Sequence, residues 1–554
     1  MTTTSTTPPR LDRRKPPVGR QKVIAATALP SPPNDIEKYW YMGRQHRWLL
    51  LAQATALSLV VVSTTRFALS RPWLLLFLPL VVLYVVSAVV SLLSSSRGKR
   101  TSLDDHETRT FFYRPEHWPS VDVFLPTAGE PLDVLANTYR HVMAMRWNGR
   151  VVAHVLDDGD RPEVRELAEA HGLRYHVRPN RGHLKKAGNL KYGYDHSDGD
   201  LIAIFDADFV PRPDYLRELV PYFTDEATGI VQSPQFFDAL KGMGWLQRTA
   251  GATQELFYRW IQPSRDRSGA AICVGTCAIY RRKALEAAGG FAQIGHSEDV
   301  HTGVKLMKAG YGLRYVPILV SKGLCPDTLL GFLNQQYRWC TGSMSLLADR
   351  SFHANRIFSI RQRLSFWSGF LYYISTAVNI FAAPLPGLVM LWVFPQYISP
   401  HNTAWLLGAV LLWYFVLPTV MHGHWRLDVL RVQQLYSFAH AIAILHVLTG
   451  RTKEWVATGS ANTRTTPLAV TITRVMRATT AVTQTAVWSG LVVATLEYGI
   501  GHTWAMLGFA LLSAYVQIPL LFLRSTPRER RRSGRARMLQ PTAEPAHSAP
   551  TTSR

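Results

Sequence analysis

The placement of the long apolar runs most constrains this chain. They occupy 48–65, 73–93, 366–394, 403–421, 478–496 and 504–523, each of spanning or near-spanning length for a bilayer. Backbone in hydrocarbon must satisfy its own hydrogen bonds, so such runs are expected to be helices. Only 67–72 separates the first two, which therefore read as a hairpin. Between the second and third runs the composition turns polar, and from 119 to 350 it is that of a soluble α/β domain. The expected architecture is a cytosolic α/β domain inserted between membrane helices.

Charge orients the chain. The formal net charge is +23, and it gathers at the ends. Residues 1–47 hold nine Lys/Arg against three Asp/Glu, and 524–554 hold eight Arg against two Glu. A basic excess alone suggests nucleic acid. Here it borders apolar runs, where the positive-inside bias accounts for it, so no nucleic acid is expected. The run 366–394 contains Pro384 and Pro386. Taken as one kinked helix it gives six spans and puts both basic tails in the cytosol. The external loops 67–72, 395–402 and 497–503 then carry one Arg, no charged residue and one Glu. Two helices there would put a basic tail outside. The expectation is a multi-pass plasma-membrane protein in contact with lipid. It has disordered basic tails at 1–47 and 524–554, a hairpin at 48–93, a soluble domain at 119–350, and four spans with interfacial helices at 351–523. The interfacial helices are 351–365 and 425–448, where arginines mix with apolar residues. Cys273, Cys277, Cys325 and Cys340 form no C-x-x-C pair and fall on the cytosolic side, so free thiols are expected.

Within the soluble part, strand-like runs occur at 121–125, 151–156, 173–178, 201–205 and 272–280, with helical patterns such as 131–145 and 161–171 between them. That alternation predicts a largely parallel sheet, which binds ligands at the carboxyl ends of its strands. The motifs lie there. The run Leu201–Phe205 ends in Asp206-Ala207-Asp208. Strand alternation turns both acids the same way, and such a pair can share a hard divalent cation. The pattern equally suits a strand end with two solvated acids. Earlier strands end in Pro126-Thr127-Ala128-Gly129-Glu130 and in Asp157-Asp158-Gly159, and Lys185-Lys186-Ala187-Gly188-Asn189 opens a helix. Ordinary turns and a solvated helix start would explain these. A ligand with a ribose and phosphates would explain them too. Val231–Gln235 and Val274-Gly275-Thr276 offer small residues beside a ligand. Ser297 is a plausible cap ahead of Glu298-Asp299, one of which could serve as a general base. Gln335-Gln336-Tyr337-Arg338-Trp339 precedes the membrane, where Arg and Trp serve equally as interfacial anchors.

As an ordered set, these motifs resemble the family 2 inverting glycosyltransferases, specifically the processive membrane synthases typified by bacterial cellulose synthase. The resemblance runs from about 119 to 460. It implies a GT-A (Rossmann-like) fold, a UDP-sugar donor, Mg2+ or Mn2+ as cofactor, and a growing polysaccharide as acceptor, with accessory export proteins as further partners. By position it implies Asp299 as catalytic base and Asp206 and Asp208 as nucleotide and metal ligands. Asp157 and Asp158 would lie on the uracil and ribose side, Lys186 at the phosphates and Arg338 at the pyrophosphate. Gln335 and Trp339 would meet the acceptor end. Two departures stand out. The family's gating loop reads F-x-V-T-x-K, whereas here Trp455-Val456-Ala457-Thr458-Gly459-Ser460 keeps an aromatic, Trp455, and a hydroxyl, Thr458, but not the lysine. The C-terminal part resembles no cyclic-di-GMP-binding barrel, and Arg528 and Arg532 sit in an Arg-rich tail, so no cyclic-di-GMP control through this chain is expected. The expected product is a β-linked polysaccharide, foremost a β-1,4-glucan from UDP-glucose, carried across the membrane. Trp367, Tyr372, Tyr373, Trp405, Trp413 and Tyr414 could line its path or serve as belt residues. The alternatives are a hyaluronan-, chitin- or mannan-type synthase, a lipid glycosyltransferase, or a nucleotide-sensing transporter or scaffold.

Overall fold

The computed structural model describes residues 29–42, 47–96, 98–239, 243–421, 423, 425–451 and 467–523. The gating-like residues Trp455 and Thr458 lie outside them, as do most of the two tails.

The soluble domain is an α/β unit on a seven-stranded mixed sheet. Ten strands occur among the described residues: β1 Val121–Thr127, β2 Val151–Asp157, β3 Arg174–His176, β4 Leu201–Ile204, β5 Val210–Pro211, β6 Thr228–Gln232, β7 Phe236–Phe237, β8 Ala278–Arg281, β9 Gly312–Tyr315 and β10 Ser321–Gly323. The large sheet runs β3-β2-β1-β4-β8-β6-β9, and the small one β5-β10-β7. Strands β3, β2, β1 and β4 are mutually parallel, with Val121 opposite both Val151 and Leu201. The sheet is largely parallel as expected, with one exception: β8 is antiparallel to both β4 and β6, and β6 and β9 resume the direction of β4. The expected strand at 272–280 is strand only from Ala278; 272–277 is irregular.

The continuous apolar composition of β4, and of β1 apart from the buried Asp122, has a simple cause. Both faces of the sheet are covered, so neither face needs polar residues. Val121, Val123 and Leu125 join one core with Leu135 and Tyr139 of the helix Leu132–Met143. Phe124 points to the other core, with Leu156, Ile202, Ile204 and Leu190 of the helix Lys185–Asp195. At Gly193 of that helix an added Cβ would lie 2.8 Å from Leu156, so the helix rests directly on β2.

Five helices among the described residues are long and apolar enough to cross a membrane: Trp48–Leu69, Pro72–Ser95, Ile360–Trp392, Pro400–Val420 and Ile500–Leu521. The 366–394 run is one such span, broken between Ala382 and Leu385 where Pro384 and Pro386 deny backbone donors. The stretch 478–496 lies in the helix Pro467–Tyr498, which is not among the five. Its Thr, Gln and Ser residues lower its hydropathy, and Gln484 bonds Ser513 and Gln517 of the neighbouring helix at 2.9 Å. The interfacial helix expected at 351–365 is instead a short helix, Arg350–Ala354, followed by the capped start of Ile360–Ala382. Ser359 and Gln362 form a capping box there, which fixes a new helix start. The 425–448 segment is the helix Asp428–Leu448, with one side buried against its neighbours.

Candidate active site

The sheet ends and the helix Leu329–Ala348 meet at one cavity of about 1910 Å³, well above the roughly 300–1,000 Å³ of ordinary small-molecule pockets. Asp158, Lys186, Asp206, Asp208, Asp299, Gln335, Arg338 and Trp339 all line it. So do Tyr84, Ser87 and Ser91 of the span Pro72–Ser95 and Tyr372 and Tyr373 of the span Ile360–Trp392. Trp413 also lines it, whereas Trp367, Trp405 and Tyr414 do not.

Asp206 and Asp208 stand in the turn after β4 rather than on the strand itself. The Asp206 N–H donates to Thr276 Oγ1 at 2.9 Å. Lys186 Nζ lies 2.5 Å from Asp206 Oδ1 and 2.8 Å from the Gly275 carbonyl, with Glu298 at 3.9 Å. Burial works to lower the Lys186 pKa, but Asp206 and Glu298 outweigh it, so the ammonium stays charged. Asp208 is pushed up to about 7 by burial, with the Asp206 charge adding to it. Three hydrogen bonds, from Thr127 Oγ1 and the N–H groups of Ala128 and Gly129, hold the Glu130 carboxylate beside this group.

The adjacent acids Asp157 and Asp158 separate. Asp157 is fully buried and does not line the cavity. Its oxygens accept from the N–H groups of Gly159 and Arg161 at 2.8 and 2.9 Å and from the Tyr175 hydroxyl at 2.9 Å. It closes the turn that presents Asp158. Arg178 holds Asp158 bidentately, with Nε–Oδ1 at 2.5 Å and Nη2–Oδ2 at 2.7 Å. The same guanidinium donates to the carbonyls of His183 and Lys185, and so fixes the turn into the Lys186 helix. Leu184 and Lys185 there have φ of 53° and 51°. Tyr175 and Arg178 carry no motif signal, and the sequence alone does not single them out.

Asp299 lies in the first turn of the helix Glu298–Lys308. Ser297 precedes it at φ 52° and makes no side-chain cap, contrary to expectation. An added Cβ on Gly342 would fall 1.8 Å from Ser297 Oγ, so this turn is seated against the Arg338 helix. Burial first, then Glu298, raises the Asp299 carboxyl to about 7, against the opposing pull of Lys186 and Arg338. Gly275, at φ 73°, faces it: an added Cβ would lie 2.9 Å from Asp299 Cβ. All four cysteines are free and buried.

Residues 201–421 match the glycosyl transferase family group 2 model. The chain is 34% identical over 261 residues to a cellulose synthase catalytic subunit (UDP-forming) of Xanthomonas axonopodis pv. citri, covering 46% of this chain and 36% of the relative. It is 33% identical over 314 residues to the corresponding Pseudomonas fluorescens subunit, covering 56% and 41%. The chain thus aligns with about two fifths of these relatives' length. A solved mannosyltransferase of Pyrobaculum calidifontis, in complex with GDP-Man and Mn2+, shares 19% identity and a TM-score of 0.42 over 65% of this chain and 99% of its own. The family 2 match covers β4 with Asp206 and Asp208, Asp299, and the Arg338 helix.

Proposed function

We propose that the chain is a membrane-embedded inverting glycosyltransferase. In this reading it extends a β-linked polysaccharide from a UDP-sugar, foremost a β-1,4-glucan from UDP-glucose, and releases the product between its membrane helices. The observation that carries the reading is the single cavity that joins Asp206, Asp299 and Arg338 to side chains of the membrane-type helices.

The reaction needs a base and a stabilised leaving group. Asp299 takes the proton of the acceptor hydroxyl. Its carboxyl near 7 suits a base working around neutral pH. The acceptor oxygen bonds to the anomeric carbon as the bond to UDP breaks, which inverts the configuration and leaves the proton on Asp299. Lys186 and Arg338 stabilise the charge growing on UDP. Asp158, set by Arg178, faces the nucleoside, and Asp157 supports it from below. Gln335 and Trp339 orient the acceptor end, the amide to hydroxyls and the indole to a sugar face. Asp206 and Asp208 fit a divalent cation, Mg2+ or Mn2+. The raised Asp208 carboxyl marks buried negative charge that a hard cation would offset. Bound there, it would neutralise the diphosphate.

The test is purified protein incubated separately with UDP-glucose, other UDP-sugars and GDP-mannose, followed by product sizing and linkage analysis. UDP-glucose is expected to give a β-1,4 polymer. Another sugar in the polymer would assign a hyaluronan-, chitin- or mannan-type synthase, and a single transfer to lipid a non-processive enzyme. Asp299→Asn should lower transfer by about 10²–10⁴-fold while UDP binding survives. UDP binding without transfer in the wild type would favour a nucleotide-sensing transporter instead.

A further inference from the structure

Composition assigns 29–42 to a basic tail, yet the structure lays these residues along the small sheet β5-β10-β7. They touch β10, β7 and the residue that follows β5. Arg212, just past β5, donates to the Pro33 carbonyl at 2.6 Å and to Asp35 at 2.7 Å. Lys322 of β10 pairs with Glu37 at 2.8 Å, and the Leu319 N–H donates to the Lys38 carbonyl at 2.8 Å. Phe236 of β7 packs edge-on against Trp40 and Tyr41, at 5.9 and 6.1 Å between ring centres. Lys38 is anchored by both Asp214 and Glu218 at 2.8 Å. Lys38, Glu218 and Lys322 are at most 7% exposed. Glu37 is partly exposed, and Asp238 stands 3.8 Å from Lys322, so loss of Glu37 leaves the ammonium one more distant acid.

The same three strands carry the donor side of the cavity. Asp208 stands two residues before β5, whose Val210 and Pro211 pair with Lys322 and Ser321 of β10. Gln235, the residue before β7, lines the cavity and is fixed by Tyr258 and the Val274 carbonyl. The sheet has no slack: an added Cβ on Gly323 of β10 would lie 2.4 Å from the Phe209 ring. A shift of β10 is therefore passed to the 206–209 turn.

We propose that 29–42 is a brace for the donor site. Glu37 and Lys322 act as positioning residues: their ion pair sets β10, and β10 sets the 206–209 turn that holds Asp208, through its pairing with β5 and the close contact of Gly323 with Phe209. This rests on the donor reading of Asp206 and Asp208. The brace continues towards the helix Arg47–Leu69, whose Gln53 and Leu57 line the membrane part of the same cavity.

The test uses the full chain and reads Mn2+ binding, with and without UDP, from the electron paramagnetic resonance of free Mn2+, beside donor KM and kcat. Glu37→Gln is expected to weaken Mn2+–UDP binding and raise donor KM by about three- to tenfold. That is less than the roughly 10–100-fold typical when a direct partner of a metal ligand is lost. The kcat at saturating donor and Mn2+ should stay within about twofold. Lys322→Arg should retain Mn2+ affinity. A lowered melting temperature with unchanged Mn2+–UDP affinity would make the strap a structural clamp only and overturn the proposal. So would no change in either. If Glu37→Gln does not accumulate, Trp40→Ala carries the same expectation, since it loosens β7 without uncovering a buried charge. Absence of Mn2+–UDP binding in the wild type refutes the donor reading itself; equal binding in wild type and variant refutes only the brace.

Discussion

Gly275 determines where the Asp299 carboxylate can stand, and replacing it with alanine separates two costs. The first is backbone strain. Gly275 has φ of 73°, a region that costs a residue with a Cβ about 1–2 kcal/mol. The second is collision, because the new Cβ would lie 2.9 Å from Asp299 Cβ and 3.0 Å from its Oδ2. Restoring roughly 3.5 Å between carbons moves Asp299 by about 0.6 Å. Catalytic groups tolerate displacements of about 0.5 Å, and about 1 Å costs around 10²-fold in rate. Gly275→Ala should therefore lower kcat by about 10–100-fold. Gly290 is the control, with φ of 79° and nothing within 4 Å of an added Cβ. Gly290→Ala bears the same strain without the collision. The assay is the initial rate of UDP release at saturating donor, beside thermal melting. Both variants should lose similar stability, and only Gly275→Ala should lose rate. A Gly275→Ala rate within twofold of Gly290→Ala would refute the reasoning. Because the Gly275 carbonyl also accepts from Lys186 at 2.8 Å, donor KM is measured too. A raised KM with kcat intact would shift the effect to Lys186.

Asp299 must be ionised to accept a proton, and its carboxyl is raised to about 7 by burial and Glu298. The pH profile of kcat/KM should therefore fall about tenfold per unit below that value and level off above it; a flat profile down to pH 5 would remove Asp299 as the base. Stability runs the other way for this group: between the ordinary carboxylate range and 7 the folded state holds the proton and the unfolded state does not, so its contribution declines as pH rises. Arg178→Met leaves Asp158 buried beside no guanidinium and frees the turn at Leu184, which should cost about 3–5 kcal/mol and raise donor KM. Arg178→Lys should not restore KM, since one ammonium cannot reproduce the two-pronged grip on Asp158; wild-type KM in that variant would contradict the assignment.

The sequence reveals the parts of this molecule whose physics is local. β4 is legible because burial on both faces demands an unbroken apolar run, which β1 follows except at Asp122, and the acids after β4 stand out against it. The antiparallel strand β8 is not legible in its direction, since four residues read alike in either sense. Nor is β6, where Gly229 makes room for the Tyr311 Cβ at 2.8 Å rather than for a strand side chain. Asp157 and Asp158 are neighbours that composition treats as equals. Their different fates depend on Tyr175 and Arg178, 18 and 20 residues further on. The brace is the extreme case. Residues 29–42 look like a polar, Pro-rich tail because hydropathy registers charge but not pairing, and the partner of Lys38 lies 176 residues away at Asp214. A pattern read along the chain thus locates the chemistry at the strand ends. The residues that hold this chemistry in place are those whose partners come from distant strands, and there local propensity carries no signal.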